Sequence, residues 1–173
     1  MFESTVRLGR ALHRWLLYDP KTARAFAWVI VPFLLFNIAW DYSLDFLLQT
    51  FGLFSDASLE EILVDFTASD LFASLLIAPL EEEFLFRALP LWVMVRLAPR
   101  WTLIPVIVAI SILFGMEHGG FVGVLFQGVG ALTFSVFYLK CGGMKGAFLK
   151  PFLAVTLLHA AINGRIEIGA VFE

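Results

Sequence analysis

Glu81, Glu82, Glu83 and Arg87 stand in the middle of an otherwise apolar run, with Leu71–Leu80 before them and Ala88–Val95 after. At the centre of a membrane-spanning helix each such charge costs roughly 2.5–3.5 kcal/mol, so four facing lipid would cost on the order of 10–14 kcal/mol. They must face protein or trapped water, and ionisable groups in that position mark a functional site inside a helical bundle. Two more polar groups fall on other apolar runs: His118, and His159 with Asn163. Residues four apart share a helix face, so Glu83 and Arg87 are expected to form an internal ion pair. Glu82, turned from Glu83 by about 100°, is left free. His159 and Asn163 present one donor-rich face, and Phe114 lies beneath His118. A free carboxylate with two imidazoles is equipped for acid–base chemistry on water.

The elements that must position these groups are membrane helices. The chain is 60% hydrophobic and 16% charged, with 19 Phe, and its mean hydropathy is +0.87. That composition lies far from soluble averages and predicts an all-α polytopic transmembrane helical bundle. One membrane domain, 1–173, is expected. Phe2–Tyr18 mixes Arg7, Arg10 and Arg14 with Val6, Leu12, Trp15 and Leu16, as a cationic helix lying at the interface would, and residues 1–24 form that cytoplasmic, amphipathic part. The transmembrane bundle is 25–163, with about five spans. They are Ala25 to about Gln49, Leu71–Leu97, Trp101–Met116, Phe121–Leu139 and Gly146–Asn163. Ser58 with Glu61 fits a capping box in the acidic connector Phe54–Asp70, and His118-Gly119-Gly120 breaks the third span from the fourth. Residues 164–173 form a polar tail that leaves the membrane.

Arg7, Arg10, Arg14, Lys21 and Arg24, then Arg96 and Arg100, then Lys140, Lys145 and Lys150 all fall on one side of this arrangement. The positive-inside rule makes that side, and the N-terminus, cytoplasmic. Counting from the inner face at about 1.5 Å per residue, Glu82 lies roughly 22 Å deep, His118 roughly 25 Å and His159 roughly 20 Å. Three separated polar residues share one level, nearer the outer face.

Other chemistries fit less well. Glu82, His118 and His159 could supply three ligands of a catalytic zinc, but no H-E-x-x-H is present and Asn163 is a poor zinc ligand, so no cofactor is expected and zinc is the alternative. There is no Gly-x-Ser-Gly or Gly-x-Gly-Asp for a serine or aspartyl intramembrane protease. Ser111, Thr133, Ser135 and Thr156 are read as packing residues bonding the backbone one turn back. Gly119 and Gly123 form a small-xxx-small pair. The net charge of −3, without a basic run, excludes a nucleic-acid partner, and the lone Cys141 excludes an intrachain disulfide framework.

Glu82 to Arg87 fits E-E-x-x-x-R, Phe114 to His118 fits F-x-x-x-H, and His159 to Asn163 fits H-x-x-x-N, in that order. Over about Pro79 to Asn163, the catalytic core 79–163, the chain resembles the CPBP family of CAAX proteases and bacteriocin-processing enzymes. The resemblance implies an intramembrane glutamic endopeptidase in which Glu82 and His118 activate water, His159 and Asn163 form an oxyanion hole, and Glu83 and Arg87 support them. Its partners would be the lipid bilayer and a membrane-associated protein or peptide: a CAAX-type substrate, a bacteriocin precursor or a C-terminal sorting segment. The small size and single cysteine favour a bacterial inner membrane. The competing readings are a non-catalytic bacteriocin self-immunity protein and a carrier using Glu82, His118 and His159 as a proton relay.

Overall fold

The computed structural model describes residues 11, 14–15, 19–52 and 67–172. Most of the expected interfacial helix, and most of the connector with its Ser58–Glu61 box, lie outside them. All regular structure among the described residues is helical. Five helical runs form the bundle: α1 (Ala23–Thr50), α2 (68–97), α3 (Leu103–Glu117), α4 (Gly120–Lys140) and α5 (Leu149–Phe172). By length and composition α1, α3 (with the turn before it) and α4 can each cross a membrane. The other two, α2 and α5, carry the polar residues singled out above, which dilute their apolarity.

Local chemistry explains the boundaries. The Thr22 hydroxyl accepts from the Ala25 amide and caps α1. A capping box opens α2 at Thr67 and Asp70, among the last residues of the expected connector; bonds from the Thr67 hydroxyl and backbone amide hold the Asp70 carboxyl below its usual pKa. Gly119 at φ 145° and Gly120 at φ 61° make the turn between α3 and α4, backbone conformations a side chain would oppose.

Within α2 the helix widens twice into five-residue π turns, Ala73–Ile77 and Phe84–Ala88. A proline follows each by two residues, Pro79 and Pro90. Proline lacks an amide hydrogen and its ring clashes with the carbonyl four residues back, and a wider turn relieves that clash without breaking the helix. The Ala78 and Leu89 amides accordingly reach back five residues, to the Ala73 and Phe84 carbonyls. A third π turn, Val124–Gly128, lies in α4.

Packing places α2, α4 and α5 around a core of Ala88, Leu91, Phe137, Tyr138, Val155 and Leu158, with α1 against α4 and α5. Buried Asn37 of α1 exchanges hydrogen bonds with Thr133 of α4 at 2.9 and 3.1 Å, and the Trp40 indole donates to the Leu125 carbonyl in the third π turn at 2.8 Å. Trp28, Leu35, Phe36 and Phe46 are left exposed on α1. In an aqueous protein such a surface would be a liability; here it is the face that meets lipid.

Two expectations differ from the structure. The last helix does not end with the expected span at Asn163: it runs to Phe172, so residues 164–172 of the expected polar tail are a helical extension of α5. No proline intervenes there, and Arg165 is tied to Asp41 of α1 at 3.1 Å, which anchors the extra turns. The close approach of α3 and α4 is made by Gly115 and Gly123, whereas Gly119 belongs to the turn. A Cβ on Gly115 would fall 2.5 Å from the Val124 Cα and 2.7 Å from the Gly123 carbonyl oxygen. Backbone atoms cannot swing aside as a side-chain tip can, so Gly115→Ala is expected to cost at least the roughly 1–3 kcal/mol of an overpacked core. A melt of the purified variant at a Tm equal to that of the natural chain would show that the helices separate freely there.

Candidate active site

Glu82 and Glu83 close the short α-helical stretch between the two π turns of α2, and Arg87 lies in the second of them. His118 caps the end of α3, and His159 and Asn163 lie one turn apart on α5. The structure brings Glu82, Glu83, Arg87, His118 and His159 into one cluster.

At its base is the ion pair expected from the spacing: Arg87 Nη1 lies 3.0 Å from Glu83 Oε1, and both side chains are fully buried. The same carboxylate oxygen accepts from His159 Nδ1 at 2.8 Å, a contact that four-residue spacing could not reveal. The Arg87 guanidinium lies over the Phe114 ring at 4.1 Å and the Phe134 ring at 5.5 Å. Its Nε and Nη2 find no hydrogen-bond acceptor among the described residues, and the two aromatic faces take that place. Phe134 also packs against the His159 ring at 5.2 Å, and Phe114 against the His118 ring at 4.1 Å. Phe114 was expected beneath His118. Phe134 was not singled out, since nothing in its own sequence neighbourhood distinguishes it from other core phenylalanines.

Above the pair lies Glu82, partly exposed. Its two oxygens face two imidazoles: Oε1 is 3.5 Å from His118 Nε2 and Oε2 is 3.8 Å from His159 Nε2. Acceptors on the far sides of the rings fix the tautomers. His118 Nδ1 is 2.7 Å from the Phe114 carbonyl oxygen, which can only accept, so Nδ1 carries a proton. Glu83 Oε1, which accepts from Arg87, accepts in the same way from His159 Nδ1. In the neutral rings both Nε2 atoms therefore turn a lone pair toward Glu82.

Asn163 stands apart from that convergence. Its Nδ2 donates to the Ser74 carbonyl of α2 at 2.8 Å. The α-helical partner of that carbonyl would be the Ala78 amide, which bonds Ala73 instead, and its π partner would be residue 79, a proline. Asn163 thus satisfies an acceptor stranded by the first π turn, and the second hydrogen on Nδ2 remains outside that bond.

Among the described residues, no group of three His, Cys, Asp or Glu side chains is placed to hold a metal ion. The hydroxyls read as packing do bond backbone carbonyls: Thr156 to Phe152 at 2.9 Å, Ser135 to Ala131 at 2.9 Å, and Thr133 to Gly130 at 2.7 Å besides Asn37. Buried Ser111 has no hydrogen-bond partner for its hydroxyl among the described residues.

Arg87→Met should leave the Glu83 charge uncompensated in the bundle and cost roughly 3–5 kcal/mol. Adding Glu83→Gln should recover most of the loss, because the Gln oxygen can still accept from His159 Nδ1. Thermal melts of the two variants in detergent check this, and a double variant no more stable than the single one would remove the ion pair from its structural role.

Compared with known proteins, the chain matches no curated protein and no solved structure, but residues 65–165 match the protein family described as type II CAAX prenyl endopeptidase Rce1-like. The match covers more than half of the 173 residues and runs from the start of α2 to α5, across every residue of the cluster. With its helical membrane architecture and the convergence of Glu82, His118 and His159, the chain belongs to the Rce1-like family of CAAX-type endopeptidases.

Proposed function

We propose that this protein is a glutamic intramembrane endopeptidase that hydrolyses a peptide bond of a membrane-associated protein or peptide. The observation that carries the reading is the convergence of two histidine Nε2 atoms on the single carboxylate of Glu82, each ring held by its other nitrogen.

Water is the nucleophile. Held between Glu82 and His118 Nε2, it loses a proton to this pair as its oxygen attacks the scissile carbonyl carbon. Negative charge moves to the carbonyl oxygen. His159 can donate to that oxyanion only with a proton on Nε2 as well, and Glu83 on its Nδ1 holds the ring in that orientation. The second amide hydrogen of Asn163 is the other donor. The tetrahedral intermediate collapses when the proton taken from water passes to the departing nitrogen, the C–N bond breaks, and a carboxylic acid and an amine are released. Arg87 and Glu83 touch no substrate here; they hold His159 and keep its tautomer.

The family description supports a CAAX-type segment as the substrate class, and a bacteriocin precursor or a C-terminal sorting segment has the same membrane-bound peptide chemistry. His118 lies at the end of α3 beside the Gly119–Gly120 turn, opposite the basic segment around Arg96 and Arg100. With the basic side cytoplasmic, as in a bacterial inner membrane, the cluster lies toward the outer half of the bilayer. A substrate exported across that membrane would reach it directly.

Purified protein in nanodiscs, incubated with solubilised membrane peptides and read by mass spectrometry, tests the reaction. New termini should appear with the natural chain and vanish with Glu82→Gln, and should persist after exhaustive chelation. Equal products from the Glu82→Gln variant would sink the proposal, and activity lost to the chelator and restored by zinc would replace the metal-free step. Asn163→Ala should still fold, with slower turnover by a factor on the order of 10²–10³, the worth of one oxyanion donor. Its Tm should also drop, because the Ser74 carbonyl loses its partner; a variant with lower Tm and unchanged kcat would confine Asn163 to that structural bond.

A further inference from the structure

The first spanning helix, α1, contributes no residue to the catalytic cluster and precedes the family match, which begins at residue 65. Its polar side chains nevertheless reach into the bundle. Asn37, Trp40 and Asp41 stand at positions i, i+3 and i+4 and so share one helix face. Asn37 is bonded to Thr133 and Trp40 to the Leu125 carbonyl, both in α4. Asp41 turns to a different helix: its Oδ2 accepts from Arg165 Nη2 of α5 at 3.1 Å. The Arg165 guanidinium also lies 5.3 Å from the Tyr42 ring centre, and its buried Nε has no acceptor among the described residues. Fastened to α4 one turn lower, α1 grips α5 through this carboxylate.

Arg165 follows Asn163 by two residues. At about 100° per residue their side chains leave α5 on nearly opposite sides, about 3 Å apart along the axis. Asn163 binds the Ser74 carbonyl of α2 on one side, and Arg165 binds Asp41 of α1 on the other. Between them Gly164 lies close to α2, where a Cβ would meet Leu75 at 3.4 Å. One bond alone would let this end of α5 roll and tilt about its contact; two, on opposite faces at one level, resist both. One turn lower His159 is held separately, by Glu83. The Asp41–Arg165 bond therefore bears on the Asn163 end of α5 and not on the His159 ring.

We propose, resting on the reading of Asn163 as an oxyanion donor, that α1 is a positioning strut for the reaction. Through Asp41 and Arg165 it sets the roll of α5 at Asn163 and so aims the second Nδ2 hydrogen. Neither side chain touches substrate; both are positioning residues. A displacement of about 1 Å caused by a remote substitution can slow a reaction about 10²-fold. Here the loss cannot exceed that of removing the donor itself, on the order of 10²–10³.

Two measurements on protein in nanodiscs test the strut. Asp41 and Arg165 are both partly exposed, so Asp41→Leu and Arg165→Met leave the buried core intact. In hydrogen exchange read by mass spectrometry, either variant should speed exchange of the α5 amides at 164–172 and leave 84–91 unchanged. In cleavage of a peptide found among the membrane substrates, either should lower kcat roughly tenfold with KM unchanged, and the double variant should be no slower than the single ones. Arg165→Met added to Asn163→Ala should cost nothing further, because no donor remains to be aimed. Unchanged exchange, a raised KM with kcat intact, or the full tenfold loss on the Asn163→Ala background would each overturn the proposal. A natural chain that releases no peptide would end the proteolytic reading and the aiming role with it, whereas faster exchange in that case would still establish that α1 holds this end of α5.

Discussion

The buried Arg87–Glu83 pair is the constraint around which the rest of the bundle is arranged. Two charges that leave water together are tolerated only when each is satisfied, and here neither reaches solvent. Glu83 Oε1 is shared between Arg87 and His159, so the pair fixes an element of α5 as well as one turn of α2. Arg87 is enclosed by Phe114 from α3 and Phe134 from α4. Four helices thus meet at one neutralised charge pair. Both imidazoles inherit their orientation from it, His159 through a hydrogen bond and His118 through the shared Phe114 ring.

Proline shapes the helix that carries this pair. Pro79 and Pro90 force α2 into two π turns, and the second contains Arg87. A π turn redirects the residues that follow it and strands a carbonyl, and each consequence is used. The stranded Ser74 carbonyl receives Asn163, and the Ala88 carbonyl, the last residue of the second turn, accepts from the Tyr138 hydroxyl at 3.3 Å in addition to any bond within its helix. In α4 the Leu125 carbonyl receives Trp40. Helices in lipid have few ways to recognise a neighbour by hydrophobicity alone, and carbonyls released at defined places give specific contacts between them.

Much of this was legible because charge in an apolar run is conspicuous. The five helices follow from hydropathy, the Glu83–Arg87 pair from four-residue spacing, and the meeting of Glu82, His118 and His159 from their common depth. What stayed hidden depends on contacts between helices. The bond from His159 to Glu83 spans residues far apart in the chain, and Phe134 is one core phenylalanine among many until Arg87 is seen over its ring. Asn163 reads as a site residue because it shares a face with His159, yet its hydrogen bond runs to a carbonyl released by Pro79, several helices earlier. Proline inside an apolar run, Pro79 and Pro90 in α2, is the signal that points to such a carbonyl. The continuation of α5 past Asn163 was masked by polar side chains, which exclude lipid but do not end a helix when an ion pair to α1 holds them.

Exposure within the cluster is graded, and the gradient carries a functional consequence. Glu83 and Arg87 are sealed, His159 is 9% exposed, Glu82 24% and His118 33%. Exposure thus rises from His159, packed against Phe114 and Phe134, through Glu82 to His118. In the proposed reaction the nucleophile is admitted beside His118 and the charge-stabilising donor is recessed at His159 on the other oxygen of the same carboxylate. A scissile carbonyl lying across Glu82 would meet the water on one face and direct its oxygen toward the other. The sealed pair beneath fixes the His159 ring before any charge develops, so in the proposed reaction its donor is in place without solvent reorganisation.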